Sequence, residues 1–262
     1  MSRMLRYRHL LWQLVRRELM SRYRSSILGA LWALMTPLLM LLVYAMVFGE
    51  IFRMRWSAEA TESRGEFALL LFAGMLVFNF FSECLSRAPL LIVQHANYVK
   101  KVVFPLALLP LAAMLASLVH ALVSMLILMI GRWFVYDSIP VTALLFPVVL
   151  LPVVFLVMGF GWFLSSLGVY IRDISQIMGI LLTGMMFLSP VFYPSSQIPE
   201  RWRAMFALNP LSVPIEQARE TLVLGRVPAL AEMFSGLLIG LMVALAGFVW
   251  FHRTRSGFAD VL

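Results

Sequence analysis

Apolar residues are arranged in six long runs along the chain, with polar segments between them. A helix needs about 20 apolar residues to cross the hydrocarbon core of a bilayer, and continuous runs favour helices over the alternating pattern of a membrane β-barrel. The pattern therefore predicts an all-α integral membrane protein with six transmembrane helices. The runs cover residues 31–48, 67–81, 104–130, 139–169, 174–193 and 229–251.

Two of these runs depart from the ordinary length. The second is short, and we expect it to extend to Leu85, with Glu83 near the membrane interface. The fourth is long and contains Pro147 and Pro152, but it has no polar turn that could divide it into two spans. We therefore predict one kinked span there, in which neighbouring helices satisfy the backbone groups that proline leaves unpaired.

Two polar segments have a distinct character. Residues 5–24 fit an amphipathic helix, and we expect this helix, within residues 1–30, to lie in the cytoplasmic interface with its arginines toward anionic headgroups. Its apolar face carries Leu11, Leu14, Val15, Leu19 and Tyr23, and its polar face carries Arg6, Gln13, Arg17 and Arg24. The longest polar stretch, residues 194–228, contains several prolines and predicts short helices joined by turns.

Composition and charge support a membrane protein and indicate its orientation. Apolar residues make up 62% of the chain and charged residues 13%, about half the charged share of a soluble domain. With the N-terminus in the cytoplasm, the cytoplasmic segments hold 13 basic and four acidic residues, whereas the outer segments hold eight and nine. Basic residues collect on the cytoplasmic side of membrane proteins. We therefore expect both termini in the cytoplasm, a bundle over residues 31–252 and a tail at 253–262, and the net charge of +8 needs no nucleic acid partner.

The motifs of several catalytic chemistries are missing from the sequence. It has no phosphate-binding G-x-x-x-x-G-K-[ST] loop, no H-E-x-x-H zinc motif and no G-x-S-x-G nucleophile motif. Cys84 is the only cysteine, and no two of the four histidines are spaced as metal ligands. We therefore expect no catalytic residue, metal or cofactor in this chain. The spans lack carboxylates at their centres, which disfavours ion-driven transport.

His120 lies inside the third run and is the one histidine that could serve chemistry within the membrane. We interpret it as a hydrogen-bonded packing residue, because polar groups inside a bundle usually pair with neighbouring helices. The alternative is an intramembrane enzyme that modifies a lipid or a glycan, with His120 as the one residue available for its chemistry.

Aromatic and methionine side chains are abundant in the spans and are candidates for lining a wide passage. Sugar rings stack on aromatic faces, and methionine packs adaptably against a sliding substrate. The alternative is lipid contact and an interfacial aromatic belt. The candidates are Trp32, Tyr44, Phe78, Phe81, Met185, Phe187, Phe192 and Tyr193.

Several short motifs occur in a fixed order along the chain. They are R-Y-R-S-S-I-L-G-A-L-W at 22–32, T-P at 36–37, K-V-V-F-P at 101–105, Y-I-R-D-I at 170–174, L-S-P-V-F-Y-P at 188–194 and N-P-L at 209–211. This order resembles the membrane (permease) subunits of ABC exporters for polysaccharides, which serve O-antigen, capsule and teichoic acid. The resemblance covers essentially the whole chain.

The resemblance implies a homodimer in the bacterial cytoplasmic (inner) membrane that binds two copies of a separate ATP-binding cassette ATPase. ATP and Mg²⁺ would then bind to the ATPase, and this chain would form the channel for an undecaprenyl-type lipid-linked glycan. In the family, the N-terminal helix and the loop between spans two and three contact the ATPase, which here are residues 5–26 and 88–100. The implied coupling residues are Arg16, Arg17, Arg22, Tyr23, Arg24, Gln94, His95, Asn97, Tyr98 and Lys100, with Arg172 and Asp173 as a second contact.

The same resemblance implies that residues 194–225 fold partway back into the membrane as short helices near the channel exit. We expect their charged side chains to be solvated rather than to bind substrate, and these are Glu200, Arg201, Arg203, Glu216, Arg219 and Glu220. The nearest alternative keeps the fold and changes the cargo to a small drug or lipid.

Overall fold

A computed structural model describes residues 7–23, 27–51, 56, 64–100 and 104–262. These residues form helices joined by turns, without a β-strand among them. The prediction of an all-helical chain is therefore confirmed for the described part. The helices are α1 (Arg8–Tyr23), α2 (Trp32–Tyr44), α3 (Arg64–Arg87), α4 (Leu91–Gln94), α5 (Ala96–Lys100), α6 (Leu108–Tyr136), α7 (Phe146–Tyr170), α8 (Ile174–Leu188), α9 (Glu200–Ala207), α10 (Ser212–Arg219), α11 (Leu230–Thr254) and α12 (Phe258–Val261).

Four of the described helical stretches are long and apolar enough to cross a membrane. They are Gly65–Gln94, Leu108–Tyr136, Val141–Tyr170 and Leu230–Val261, and they correspond to the second, third, fourth and sixth predicted spans. The first and fifth runs form shorter apolar helices, Trp32–Phe48 and Ile174–Leu188. The fourth run is one helix, α7, which continues through Pro152 as predicted for a single span.

Helix α3 lies at the centre of the bundle. It is apolar on nearly all sides, which is the pattern of a helix surrounded by protein, and it packs against α6, α7, α8 and α10. Phe78 and Phe81, two of the predicted pore-lining residues, are buried in this core.

The most extensive helix pair is α7 with α11. Their backbones touch where glycines face each other, since a Cβ on Gly247 would lie 2.1 Å from the carbonyl oxygen of Gly159. Small residues permit this close approach between membrane helices.

A second apolar cluster joins the two ends of the chain. Leu14 and Val15 of α1 pack in it with Ile92, Phe251 and Phe258. We call this the terminal end of the bundle. Helices α6 and α8 run from it to the opposite, loop end, where residues 189–229 lie.

Candidate functional site

The two segments predicted to contact an ATPase lie together at the terminal end. Arg17 Nη1 of α1 donates a hydrogen bond to Tyr98 Oη of α5, at 2.7 Å. The Tyr98 ring stacks on the Phe104 ring with 4.5 Å between centroids. The His95 ring also stacks on the Tyr98 ring, with 5.7 Å between centroids. Helix α1 and residues 88–100 therefore form one continuous surface, which we call the terminal surface.

Five of the predicted coupling residues are exposed on this surface. Arg16, Arg17, Gln94, Asn97 and Lys100 are exposed, while His95 and Tyr98 are half-buried. Lys100 Nζ also donates to the backbone oxygen of Leu262, which joins the C-terminal residues to the surface.

The remaining coupling residues differ in position. Arg172 and Asp173 are exposed in the turn between α7 and α8, at the same end of the bundle. Arg24 and Arg6 lie outside the described residues, and so does the side chain of Tyr23.

Arg22 points into the bundle instead of toward solvent. Its side chain is 11% exposed and forms an ion pair with Glu83 of α3. Its Nη1 also lies 3.0 Å from Nδ1 of His120, and its Nη2 donates to Ser117 Oγ at 2.9 Å, both on α6. A single side chain of α1 thus contacts two of the long helices.

A second ion pair lies beside the first. Arg87 at the end of α3 donates to Glu18 of α1. We call Glu18, Arg22, Glu83, Arg87, Ser117 and His120 the polar network. It links the terminal surface to α3 and α6 through charge-assisted hydrogen bonds, which are stronger than those between neutral groups.

The network corrects one sequence-based expectation and confirms another. His120 accepts a hydrogen bond from another helix, as its interpretation as a packing residue predicts. The expectation that His120 stands alone is wrong, because Glu83 Oε1 lies 4.0 Å from its Nδ1 and Ser117 is nearby. Glu83 lies on α3 and His120 on α6, so sequence spacing could not bring these two groups together. The signal that could have found Glu83 was its place in a long apolar helix, where an ionisable residue needs a partner.

A cavity of about 960 Å³ opens beside the network, between α1, α2 and α6. Gln13, Arg16 and Arg17 lie on its α1 side, and His120 on its α6 side. A smaller cavity of about 190 Å³ lies between α2, α3 and α6, and Trp32 and Tyr44 line it.

The structure brings only some of the predicted pore-lining residues together. The rings of Phe187 and Phe192 lie 5.9 Å apart, and Phe48 of the first run lies 6.3 Å from Phe192. Tyr193 Oη donates to the backbone oxygen of Phe187 at 2.6 Å. This aromatic group lies at the loop end, with Met185 half-buried one turn below, whereas Phe78 and Phe81 lie in the core of the subunit.

At the loop end, Arg219 is held in the interior, and the expectation that it is solvated is wrong. Its side chain is 1% exposed; Nε donates to Leu70 O at 3.0 Å and Nη2 to Val191 O at 2.7 Å. Its guanidinium lies over the ring of Trp56, 4.1 Å from the centroid. Burial lowers the pKa of Arg219 to about 10, so the side chain remains charged at neutral pH.

Three other loop-end charges follow the expectation, whereas Glu216 and Glu220 are half-buried. Glu200, Arg201 and Arg203 are exposed on α9. Arg132, which the sequence pattern did not single out, is buried at the end of α6 and donates to Val223 O at 3.0 Å and to Ser138 O. Arg132 and Arg219 together fix residues 189–229 to the bundle.

The sequence matches, over residues 9–223, the model of the family described as "ABC-2 type transporter". It is 28% identical over 261 residues to the O-antigen export system permease protein RfbA of Myxococcus xanthus, across 97% of this chain and 95% of that protein. Identity to RfbA of Klebsiella pneumoniae is 26% over 249 residues, across 94% and 92% of the two chains. Identity to the polysialic acid transport protein KpsM of Escherichia coli is 26% over 247 residues, across 92% and 91%.

Proposed function

Because this chain belongs to the ABC-2 type transporter membrane family, we propose that it is the permease subunit of an ATP-driven polysaccharide exporter. It is a multi-pass membrane protein by family and by its apolar helices. The observation that carries the proposal is its similarity to O-antigen and polysialic acid permeases over more than nine-tenths of its length. The cargo is accordingly a long glycan on an undecaprenyl-type lipid carrier.

The proposed assembly is a homodimer with two ATP-binding cassette subunits in the bacterial inner membrane. ATP and Mg²⁺ bind to those subunits, and this chain hydrolyses nothing. The terminal surface is the docking site: it is large and polar, and it joins α1 to residues 88–100 through Arg17 and Tyr98. In this arrangement both termini are cytoplasmic, and the first and fifth runs complete a set of six spans, with α1 in the membrane interface.

The polar network gives the proposed assembly a route for mechanical coupling. Closure of the ATPases on ATP tilts α1, and Arg22 transmits the movement to Glu83 on α3 and His120 on α6. A passage then opens along α2, α3 and α8. Phe187 is exposed and can border a passage between two copies, whereas Phe78 and Phe81 lie in the core of the subunit. Aromatic faces offer a sugar chain stacking surfaces without holding one unit tightly.

The test is export by the complete complex in proteoliposomes, with the ATPase subunits facing outward. The probe is a fluorescent lipid-linked O-polysaccharide, and the readout is glycan protected inside the vesicle from an added glycosidase. We expect protection to require ATP and to vanish when the ATPase subunit cannot hydrolyse it. Equal transfer without hydrolysis would overturn the proposal, and transfer of small dyes or lipids but not of glycan would favour the alternative cargo.

Docking is tested separately by deleting residues 5–26 and by the double variant R17A/N97A. Both changes remove exposed side chains of the terminal surface, and we expect both to weaken ATPase binding and to lower its activity in the complex. R201A, at an exposed site on the loop end, is the matched control and should bind normally. Normal ATPase binding by the truncated chain would place the docking site elsewhere.

A further inference from the structure

A polar cavity at the loop end has no role in the coupling described above. It measures about 520 Å³, within the range of about 300–1,000 Å³ that holds small organic ligands. We call it the loop-end pocket. Its polar and aromatic walls include Trp56, Gln197, Glu216, Arg219, Glu220 and Arg226.

The floor of this pocket is a buried guanidinium with spare donor capacity. Two nitrogens of Arg219 donate to backbone carbonyls of Leu70 and Val191. Among the described residues, Nη1 has no partner in hydrogen-bond geometry, although Glu216 Oε1 lies 3.2 Å away and offsets its charge. A buried donor without a good acceptor is costly. The pocket is therefore suited to a ligand that brings a hydroxyl or ether oxygen to this point.

The pocket also holds two carboxylate acceptors, Glu216 and Glu220. Glu216 accepts the backbone N–H of Ser195 at 3.1 Å. Burial and the nearby charges of Glu216 and Glu232 raise the pKa of Glu220, while Arg226 opposes the shift. Hydroxyl donors stabilise a crowded carboxylate without adding charge.

The balance of charge selects the class of ligand. Two guanidinium groups, Arg219 and Arg226, face two carboxylates, Glu216 and Glu220, so the pocket favours neither an anion nor a cation. An amide, Gln197, and an aromatic ring, Trp56, complete the walls. Neutral sugars offer hydroxyl donors, oxygen acceptors and C–H faces for aromatic rings.

We propose that the loop-end pocket binds a neutral sugar unit of the glycan as it leaves the permease. This inference rests on the proposed function, because it takes the exported polysaccharide as the ligand. Most of the residues that line the pocket lie between 194 and 226, in the segment that Arg219 fixes to the bundle, so an occupied pocket holds the glycan on a rigid wall of the exit.

The test measures binding of a soluble probe to the full complex in lipid nanodiscs. The probe is the repeat-unit oligosaccharide cut from the exported glycan and freed of its lipid carrier, and saturation-transfer NMR titration gives its Kd. Q197A removes an amide, and E220Q replaces a charged acceptor with a neutral amide whose hydrogen bonds are weaker, so we expect each to weaken binding by about tenfold. E200Q is the matched control on exposed α9 and should bind like the wild type.

The outcomes separate this inference from the proposed function. If the complex exports glycan but binds no oligosaccharide, or if Q197A and E220Q bind it normally, the pocket assignment is wrong and the export function stands. Equal weakening in E200Q would also overturn it, because the effect would not be specific to the pocket. If the complex binds the probe with the expected variant pattern but exports no glycan, the pocket is supported and the proposed function fails.

Discussion

Three arginine side chains are held inside the described part of the bundle, each by different partners. Arg22 has a carboxylate, a hydroxyl and an imidazole, whereas Arg132 has backbone carbonyls. Arg219 has two backbone carbonyls, an aromatic ring and the Glu216 carboxylate. A charge away from water is stable only where such partners replace its hydration. The sequence motif predicts that Arg22 docks an ATPase, and polarity predicts that Arg219 is solvated. Neither pattern shows the interior partners of these side chains, because most of those partners lie far along the chain.

The Arg22–Glu83 pair should show strong energetic coupling. R22Q removes the cation beside Glu83, and E83Q removes the anion beside Arg22. Each change is expected to cost about 1–3 kcal/mol, because it removes a charge-assisted interaction in a partly buried site. A double-mutant cycle on the free energy of unfolding in detergent should give a coupling energy of about 1–2 kcal/mol.

The control for that cycle is the Arg203–Glu200 pair on α9. Its atoms lie 3.5 Å apart, and its side chains are 58% and 88% exposed. Exposed pairs contribute about 0–1 kcal/mol, so R203Q/E200Q should show little coupling. Equal coupling in the two pairs would mean that Arg22 and Glu83 interact no more strongly than solvated charges.

Glu220 should make stability depend on pH in a defined direction. Its pKa in the folded protein is raised by burial and by its acidic neighbours. A raised folded-state pKa gives stability that is present below the ordinary glutamate value and lost as pH rises through the raised value. At neutral pH the ionised side chain is therefore unfavourable, and E220Q should raise the midpoint of thermal unfolding.

The check on this prediction is the same pair of proteins at lower pH. The gain in E220Q should shrink as pH falls toward the ordinary pKa of glutamate, since the wild-type side chain then becomes neutral as well. A gain that is constant with pH would show that charge at Glu220 is not the cause. Because Glu220 is also proposed to bind sugar, E220Q is expected to be more stable than the wild type but to bind sugar more weakly, a trade-off between stability and function.

At the scale of elements, apolar runs predicted the helices well but not all of their ends. The fifth run extends to Tyr193, whereas α8 ends at Leu188. Ser189 is extended, with ψ of 148°, because it precedes Pro190, and a residue before proline avoids the helical conformation. Apolar character shows that a segment leaves water, but the local backbone preferences decide where the helix ends.

Contact between α7 and α11 depends on glycine at one point. A Cβ on Gly247 would lie 2.1 Å from the Gly159 carbonyl oxygen, so G247A forces the two backbones apart. We expect a loss of about 1–3 kcal/mol, the usual cost of overpacking, seen as a lower midpoint of thermal unfolding. G184A on α8 is the control, because its Cβ would meet no atom within 4 Å. A normal midpoint for G247A would show that the helices are not closely packed there.

At the scale of the molecule, the sequence predicted which segments form the terminal surface but not how that surface connects to the bundle. Ordered motifs placed residues 5–26 and 88–100 on one side of the membrane, and Arg17 and Tyr98 join them there. The polar network required Glu83 and His120 to face the same side chain of α1. Whether these residues face each other depends on the rotation of α3 and α6 about their own axes. The sequence does not show this rotation, because both helices are apolar on nearly all sides.

The packing of side chains inside the subunit indicates where a glycan passage can lie. Phe78 and Phe81 occupy its core, so a wide path through one subunit would cost the burial of these rings. Helix α8 instead exposes Ile180, Gly184 and Phe187 along its length. A passage between two copies, with α8 near the dimer axis, avoids opening the core.

Cysteine cross-linking tests this arrangement in membranes. Single cysteines at Ile180, Gly184 and Phe187 should give a disulfide-linked dimer on mild oxidation at one or more positions, while the native Cys84 is buried and serves as background. The matched controls are single cysteines at Phe234, Leu238 and Met242 on the exposed side of α11. We expect these positions to contact lipid and to give no cross-linked dimer. Dimers from α11 and not from α8 would move the subunit interface, and with it the passage, to the α11 face of the bundle. A linked α8 pair should also block glycan export and release it on reduction, because the helices that border the passage could no longer separate.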